Sequence, residues 1–234
     1  MSQTIAIIDQ LKGGLIVSCQ ARPGNPLRGA RFMAAFAQAA ELGGAVGIRA
    51  NGPTDIRAIR RCVKLPIIGI NKLRDQRWPV YITPTLASAA AIVQAGADLV
   101  AIDATPRARH GRLSPEKLIE QIHQSLYCLI MADVDTLENG IAAAHAGADL
   151  VATTLAGYTD ARPITKGPDL QLLTDLASRL AVPVICEGRI RHPEDVSAAF
   201  SAGAYAVVVG TLVTNPTEIT RTFASVTPRQ TGAL

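Results

Sequence analysis

Eight short apolar runs in this chain each give way to a polar residue, and those residues are of types that do chemistry together. They are Gln20, Arg49, Lys72, Asp103, Asp133, Thr153 with Thr154, Glu187, and Gly210 with Thr211. Lys72 closes Pro66-Ile67-Ile68-Gly69-Ile70-Asn71, and Glu187 follows Val182-Pro183-Val184-Ile185-Cys186, so both emerge from apolar beds. Burial raises a carboxylate's pKa and lowers a lysine's, which brings such a pair toward neutral pH. Lys72 is then a proton carrier or a Schiff-base former, and Glu187 its acid partner. Gly188, Arg189, Gly210 and Thr211 follow the last two runs, where glycines let backbone N–H groups approach a phosphate. His110, His123, His145 and His192 share no spacing and do not cluster with carboxylates, so no metal centre is expected.

Any one of these residues alone is an ordinary loop polar group; what makes them a site is their register with an internal repeat. Ala95-Gly96-Ala97-Asp98-Leu99-Val100-Ala101 returns as Ala146-Gly147-Ala148-Asp149-Leu150-Val151-Ala152, with looser copies from Ala202 and from Leu42. Each copy reads as a helix stopped by glycine and followed by a strand. The period is about 50 residues, or two βα units of about 25 to 30 residues each, so four repeats give eight strands. The fold class expected is α/β, a (β/α)₈ barrel of the phosphate-binding type, with the polar residues converging on the C-terminal mouth. The strands expected are Gly14–Cys19, Ala45–Ile48, Pro66–Ile70, Asp98–Ile102, Tyr127–Ala132, Asp149–Thr153, Pro183–Cys186 and Tyr205–Gly210; near-continuous apolarity suits parallel strands covered on both faces. Helical patterns include Arg31–Leu42, Ser114–Ser125, Leu137–Ala146 and Asp169–Leu180, and Trp78–Ile82 reads as an extra strand-like segment. No linker-like tract divides residues 1–234, so one domain is expected, with a short N-terminal helix and a loose tail from Thr227.

Composition narrows the function classes. With 48% hydrophobic and 18% charged residues, the chain can fill a core and is not of disordered type. Aromatics are only 4%, leaving Ala, Val, Ile and Leu to pack closely spaced layers. A net charge of +4 without long basic runs or interleaved aromatics argues against nucleic acid and suits a small anionic substrate. Cys19, Cys62, Cys128 and Cys186 lie far apart, without a CxxC pair, and read as buried reduced thiols of a cytoplasmic protein. No signal-peptide pattern and no apolar run of about 20 residues is present, so a membrane partner is not expected. A homodimer is compatible with the sequence.

Several strings then resemble one family. Gly13-Gly14-Leu15-Ile16-Val17-Ser18-Cys19-Gln20, Pro66-Ile67-Ile68-Gly69-Ile70-Asn71-Lys72, Thr153-Thr154-Leu155-Ala156-Gly157-Tyr158-Thr159 and Glu187-Gly188-Arg189 are similar to the N-acetylmannosamine-6-phosphate 2-epimerases. The similarity runs from about Gly13 to Phe223. It implies a barrel fold, no cofactor, and epimerisation at C2 of an N-acetylamino-sugar phosphate in sialic acid catabolism. It implies Lys72 as acid/base and Glu187 as second catalytic carboxyl, with Gln20, Arg49, Asp103, Asp133, Thr153 and Tyr158 around the sugar. Where members carry an Arg shortly after strand 8, this chain has Asn215, so Gly188, Arg189, Gly210 and Thr211 are expected to hold the phosphate. The competing expectations are a Schiff-base lyase or synthase on the same barrel, and a non-catalytic sugar-phosphate sensor, which would have no need of a tuned acid/base pair.

Overall fold

The repeated phrase builds the same joint four times. The N–H groups of Ala45, Ala97, Ala148 and Ala204 return to the carbonyls of Ala40, Ile92, Ala143 and Ala199, at 2.9–3.1 Å. This chain reversal after a helix requires a left-handed residue one position earlier, and Gly44, Gly96, Gly147 and Gly203 supply it with φ between +89° and +104°. In the two closest copies an Asp then caps the neighbouring strand: Asp98 accepts from the N–H of Ile67, and Asp149 from that of Ile130, both at 2.8 Å. The repeat is therefore a helix-to-strand connector at the bottom of the sheet, as its glycines and aspartates require.

The structure, a computed structural model, describes residues 2–231. In chain order the elements are α1 (Ser2–Leu11), β1 (Leu15–Cys19), α2 (Ala30–Leu42), β2 (Gly47–Asn51), α3 (Pro53–Arg60), β3 (Ile67–Ile70), α4 (Leu86–Val93), β4 (Leu99–Asp103), α5 (Pro115–Leu126) and β5 (Leu129–Asp133). They continue with α6 (Leu137–His145), β6 (Leu150–Ala152), a 3₁₀ turn (Thr153–Leu155), α7 (Leu170–Arg179), β7 (Val184–Glu187), α8 (Pro193–Ser201), β8 (Ala206–Val209), α9 (Thr211–Thr214), α10 (Pro216–Ala224) and α11 (Pro228–Thr231). All eight strands pair in parallel and the sheet closes, β1 lying beside β8. The expected barrel is present. The tail expected to be loose from Thr227 forms a helical turn at Pro228–Thr231, and residues 232–234 lie outside the described part.

Side chains alternate across the strands into two cores. One fills the barrel, with Ile16, Ile68, Leu99, Met131, Leu150 and Ile185 among its members, and Leu11 of α1 joins it from below. The other lies between sheet and helices, where Val17, Ile48, Ile67, Val100 and Ile130 meet Met33, Ile56, Ile92 and Leu118. The close approach that few aromatics foreshadow is visible at glycine: a Cβ on Gly69 would stand 2.7 Å from that of Ala97, and one on Gly140 2.3 Å from Leu176 Cδ2.

Most strands lie slightly further along the chain than the apolar runs suggest. Thus β2 extends to Asn51, β4 to Asp103, β5 to Asp133 and β7 to Glu187. Ladder pairing, such as Asp103 with Asp133 and Glu187 with Val208, holds the charged residue as the last rung of its strand rather than the first residue of a loop. That small displacement fixes the backbone of the polar layer. Trp78–Ile82 is not a full strand but the return limb of an excursion, with isolated antiparallel bridges Lys72 to Ile82 and Asp75 to Trp78.

Candidate active site

Above the apolar filling, the inward-facing side chains turn polar, and a buried arginine is at the centre. Arg49, on β2, is 1% exposed and faces Asp133, on β5, which is 0% exposed. Arg49 Nη1 donates to Asp133 Oδ1 at 3.0 Å and Nη2 to Oδ2 at 2.5 Å, a bidentate pair. Nη1 also donates to Glu187 Oε2 at 2.5 Å, and the Glu187 side chain is 15% exposed. One guanidinium thus binds two carboxylates. Burial works against its charge, but Asp133 and Glu187 outweigh burial and hold Arg49 above its ordinary range. Burial raises the Glu187 carboxyl, and neighbouring Asp133 pushes the same way against the pull of Arg49 and Lys72.

Lys72 stands across the mouth, just past the end of β3. Its main-chain N–H donates to Asn51 Oδ1 at 2.9 Å, and its backbone bridges to Ile82. Its Nζ donates to Gln20 Oε1 at 2.7 Å, while Gln20 Nε2 donates to Ser18 Oγ at 2.8 Å. Burial and the positive charge of Arg49 lower the lysine pKa to about 8. A lysine brought down and a glutamate brought up are what a proton-transfer site needs, since each group is then shifted toward the range in which it can both take and give a proton.

The remaining expected residues have these surroundings. Asp103 is buried; its carboxylate accepts from the N–H and hydroxyl of Thr105 and from Arg107 Nη2 at 2.7 Å. The Thr153 hydroxyl, 1% exposed as a residue, accepts from Glu187 N and donates to Glu187 O, each at 3.0 Å. Tyr158 is exposed on the loop after β6, and the Arg189 guanidinium lies 5.2 Å from its ring centre. Arg189 itself has φ +54° and donates to Gly167 O, Ala156 O and Thr165 Oγ1, tying down both ends of that loop. Gly210 and Thr211 open α9 beside β1, where a Cβ on Gly210 would come within 3.3 Å of Ser18 Cβ. Asn215, in place of the expected arginine, accepts from Asn25 Nδ2 and caps α10 at Glu218 N. Sequence reasoning missed Ser18 and Asn51: Ser18 Oγ accepts from Gln20 two residues on, and Asn51, the last residue of β2, reaches the Lys72 N–H beyond β3; their only signal was a place next to those strand ends.

Burial pushes the thiols of Cys19 and Cys186 up to about 12, which leaves them protonated and inert, as expected of packing cysteines. All four cysteines are free. Among the described residues no three His, Cys, Asp or Glu side chains are grouped to hold a metal ion, and no helix is long and apolar enough to cross a membrane.

Residues 33–229 match the family described as "Putative N-acetylmannosamine-6-phosphate epimerase". A protein of Caldanaerobacter subterraneus subsp. tengcongensis named "Putative N-acetylmannosamine-6-phosphate 2-epimerase" is 49% identical over 220 residues, covering 94% of this chain and 93% of its own. One of the same name from Cutibacterium acnes is 47% identical over 222 residues, covering 94% and 96%. The solved N-acetylmannosamine-6-phosphate 2-epimerase of Clostridium perfringens superposes with a TM-score of 0.90 at 42% identity, covering 94% of this chain and 96% of that one. A thiamine phosphate pyrophosphorylase of Pyrococcus furiosus, at 19% identity and a TM-score of 0.60, shares the fold.

Proposed function

This chain belongs to the N-acetylmannosamine-6-phosphate 2-epimerase family, and on that premise we propose that it interconverts N-acetylmannosamine 6-phosphate and N-acetylglucosamine 6-phosphate by moving one proton at C2. The observation that supports this is the opposed pair, Lys72 lowered and Glu187 raised, on either side of the Arg49–Asp133 ion pair.

In the open-chain sugar, C2 is α to the C1 aldehyde, so its hydrogen is acidic enough for an amine base once the carbonyl oxygen is stabilised. The four central groups, Arg49, Lys72, Asp133 and Glu187, are neutral in sum when all are ionised. Moving a proton from Lys72 to Glu187 leaves the sum unchanged and the buried Arg49–Asp133 pair intact. The shifted form holds a base and an acid together. Lys72 removes the C2 proton while one of its hydrogens remains on Gln20. Glu187 donates to the developing C1 oxyanion, where charge stabilisation contributes most. A proton delivered to the other face of C2, from the Lys72 ammonium after the intermediate turns or from a second group on that face, with the C1 hydroxyl proton returning to Glu187, reforms the aldehyde and completes the inversion; no redox step or covalent adduct is required.

The phosphate is assigned to the ends of β7 and β8, at Gly188, Arg189, Gly210 and Thr211. Because three guanidinium hydrogen bonds of Arg189 already hold the loop after β6, its contribution is a fixed positive charge and a fixed loop rather than a free fork. The partner is the small sugar phosphate, and a cytoplasmic setting suits four free cysteines.

The test is incubation with N-acetylmannosamine 6-phosphate in D₂O, followed by NMR at C2. Product should accumulate with deuterium at C2 in the absence of added metal or nicotinamide. Borohydride added during turnover should trap no sugar on Lys72; a covalent adduct would favour lyase-type Schiff-base chemistry. Absence of any product would overturn the proposal.

A further inference from the structure

Glu187 is gripped at both ends by two consecutive threonines, and the second of them touches every charged group around it except Lys72. The strand β6 stops at Ala152, which pairs with Ile185 of β7. From there the chain turns into the 3₁₀ segment Thr153–Leu155. The Thr153 hydroxyl then stands in for the missing main-chain rung, accepting from Glu187 N and donating to Glu187 O. The turn brings the next side chain over the barrel. Thr154 Oγ1 lies 2.7 Å from Asp133 Oδ1, 3.3 Å from Glu187 Oε2 and 3.3 Å from Arg49 Nη1.

A hydroxyl has one hydrogen and two lone pairs. At these distances its hydrogen belongs to Asp133, and a lone pair receives Arg49 Nη1. The Glu187 carboxylate lies within reach of the same hydrogen by rotation about one bond. The Asp133 and Glu187 carboxylates share one guanidinium, so without the hydroxyl nothing but Arg49 would set the spacing between two like charges. Charged groups facing this point come from β2 (Arg49), β5 (Asp133), β7 (Glu187) and the end of β3 (Lys72), as Lys72 and Glu187 each respond to the others' charge.

We propose that Thr154 is a positioning residue: its hydroxyl donates to Asp133 and accepts from Arg49, fixing the guanidinium that holds the Glu187 carboxylate so that Glu187 meets the C1 oxygen during proton transfer, with Thr153 locking the Glu187 backbone beneath it. The inference rests on the assignment of Glu187 as the acid. It predicts an effect on the chemical step and not on affinity, since Thr154 acts through groups that engage most strongly in the transition state.

The experiment compares Thr154→Val, which swaps the hydroxyl for a methyl of similar size, with Thr154→Ser, which keeps the hydroxyl. Steady-state kinetics with N-acetylmannosamine 6-phosphate and thermal unfolding are measured on each. Thr154→Val should lower kcat about 10- to 100-fold with KM changed by less than about threefold, as displacement of a catalytic group by a fraction of an ångström does. Thr154→Ser should recover most of the loss. Unchanged kcat in Thr154→Val would overturn the proposal. So would a raised KM at unchanged kcat, which is the mark of a substrate contact, or a Thr154→Ser variant as slow as Thr154→Val. If Thr154→Val fails to fold, Thr154→Ala is read by the same criteria. Glu187→Gln runs in parallel: an active Glu187→Gln enzyme would remove the acid assignment itself, whereas an inactive one beside a fully active Thr154→Val would sink the threonine proposal alone.

Discussion

Lys72 and Glu187 are shifted toward each other, and this sets the expected pH dependence. Burial takes Lys72 down to about 8, and burial beside Asp133 takes Glu187 up from the usual carboxylate range. The working form carries one proton shared between the two. Below the raised glutamate value both are protonated and the base is lost; above about 8 both are deprotonated and the acid is lost. A plot of kcat/KM against pH should therefore be a bell, with its alkaline limb near 8 and its acid limb above the ordinary glutamate value, the two limbs belonging to the coupled pair. A flat profile between pH 6 and 9 would contradict it. Lys72→Ala and Glu187→Gln should each reduce kcat by about 10²- to 10⁴-fold while leaving a folded barrel by circular dichroism. Arg49→Lys is not conservative here. An ammonium cannot serve Asp133 bidentately and Glu187 at once, so about a hundredfold loss of kcat is expected from the same assay.

At the scale of elements, the loop between β6 and α7 is held from β7. Arg189 donates to the carbonyls of Ala156 and Gly167 and to Thr165, and its guanidinium rests against Tyr158. Arg189→Ala should therefore do two things. KM for the phosphorylated sugar should rise about 3- to 10-fold, through loss of a fixed positive charge and not of a phosphate hydrogen bond, with a much smaller change in kcat, and trypsin should cut sooner after Lys166, inside the freed loop. A loop as resistant as before would show that the arginine does not hold it. A second case concerns packing between α6 and α7. In an exposed helix Gly→Ala is worth up to about 1 kcal/mol of added stability. At Gly140 the new Cβ would meet Leu176 Cδ2 at 2.3 Å, and overpacking costs about 1 to 3 kcal/mol. The clash wins, so Gly140→Ala should lower Tm; an increase would mean that Leu176 has room to turn aside.

For the whole molecule, what the sequence by itself determined is whatever local chemistry encodes. Glycines at a fixed place in each repeat stop helices because only they take positive φ cheaply, and unbroken apolar runs make strands buried on both faces; repeat and runs together fix the number of strands. Counting repeats gave the barrel, and the barrel said which strand ends share a mouth. Lys72 and Glu187 were legible for that reason, as polar residues closing apolar strands. The family resemblance of the strings around Gln20, Lys72 and Thr153 added the reaction. What only the tertiary structure decided is which polar groups meet, because that depends on register around a closed sheet, and hydropathy does not report register. Strand position 49 faces position 133 across the barrel rather than along the chain, so the Arg49–Asp133 pair and its link to Glu187 appear only on closure. The adjacent residues Thr153 and Thr154 look interchangeable in sequence, yet the end of β6 sends one to the Glu187 backbone and the other to its carboxylate. Arg189 read as a free cation for phosphate, while the fold engages its N–H groups with carbonyls and a hydroxyl of a neighbouring loop. A charge is visible in the chain; the partners that surround it are a property of closed three-dimensional packing.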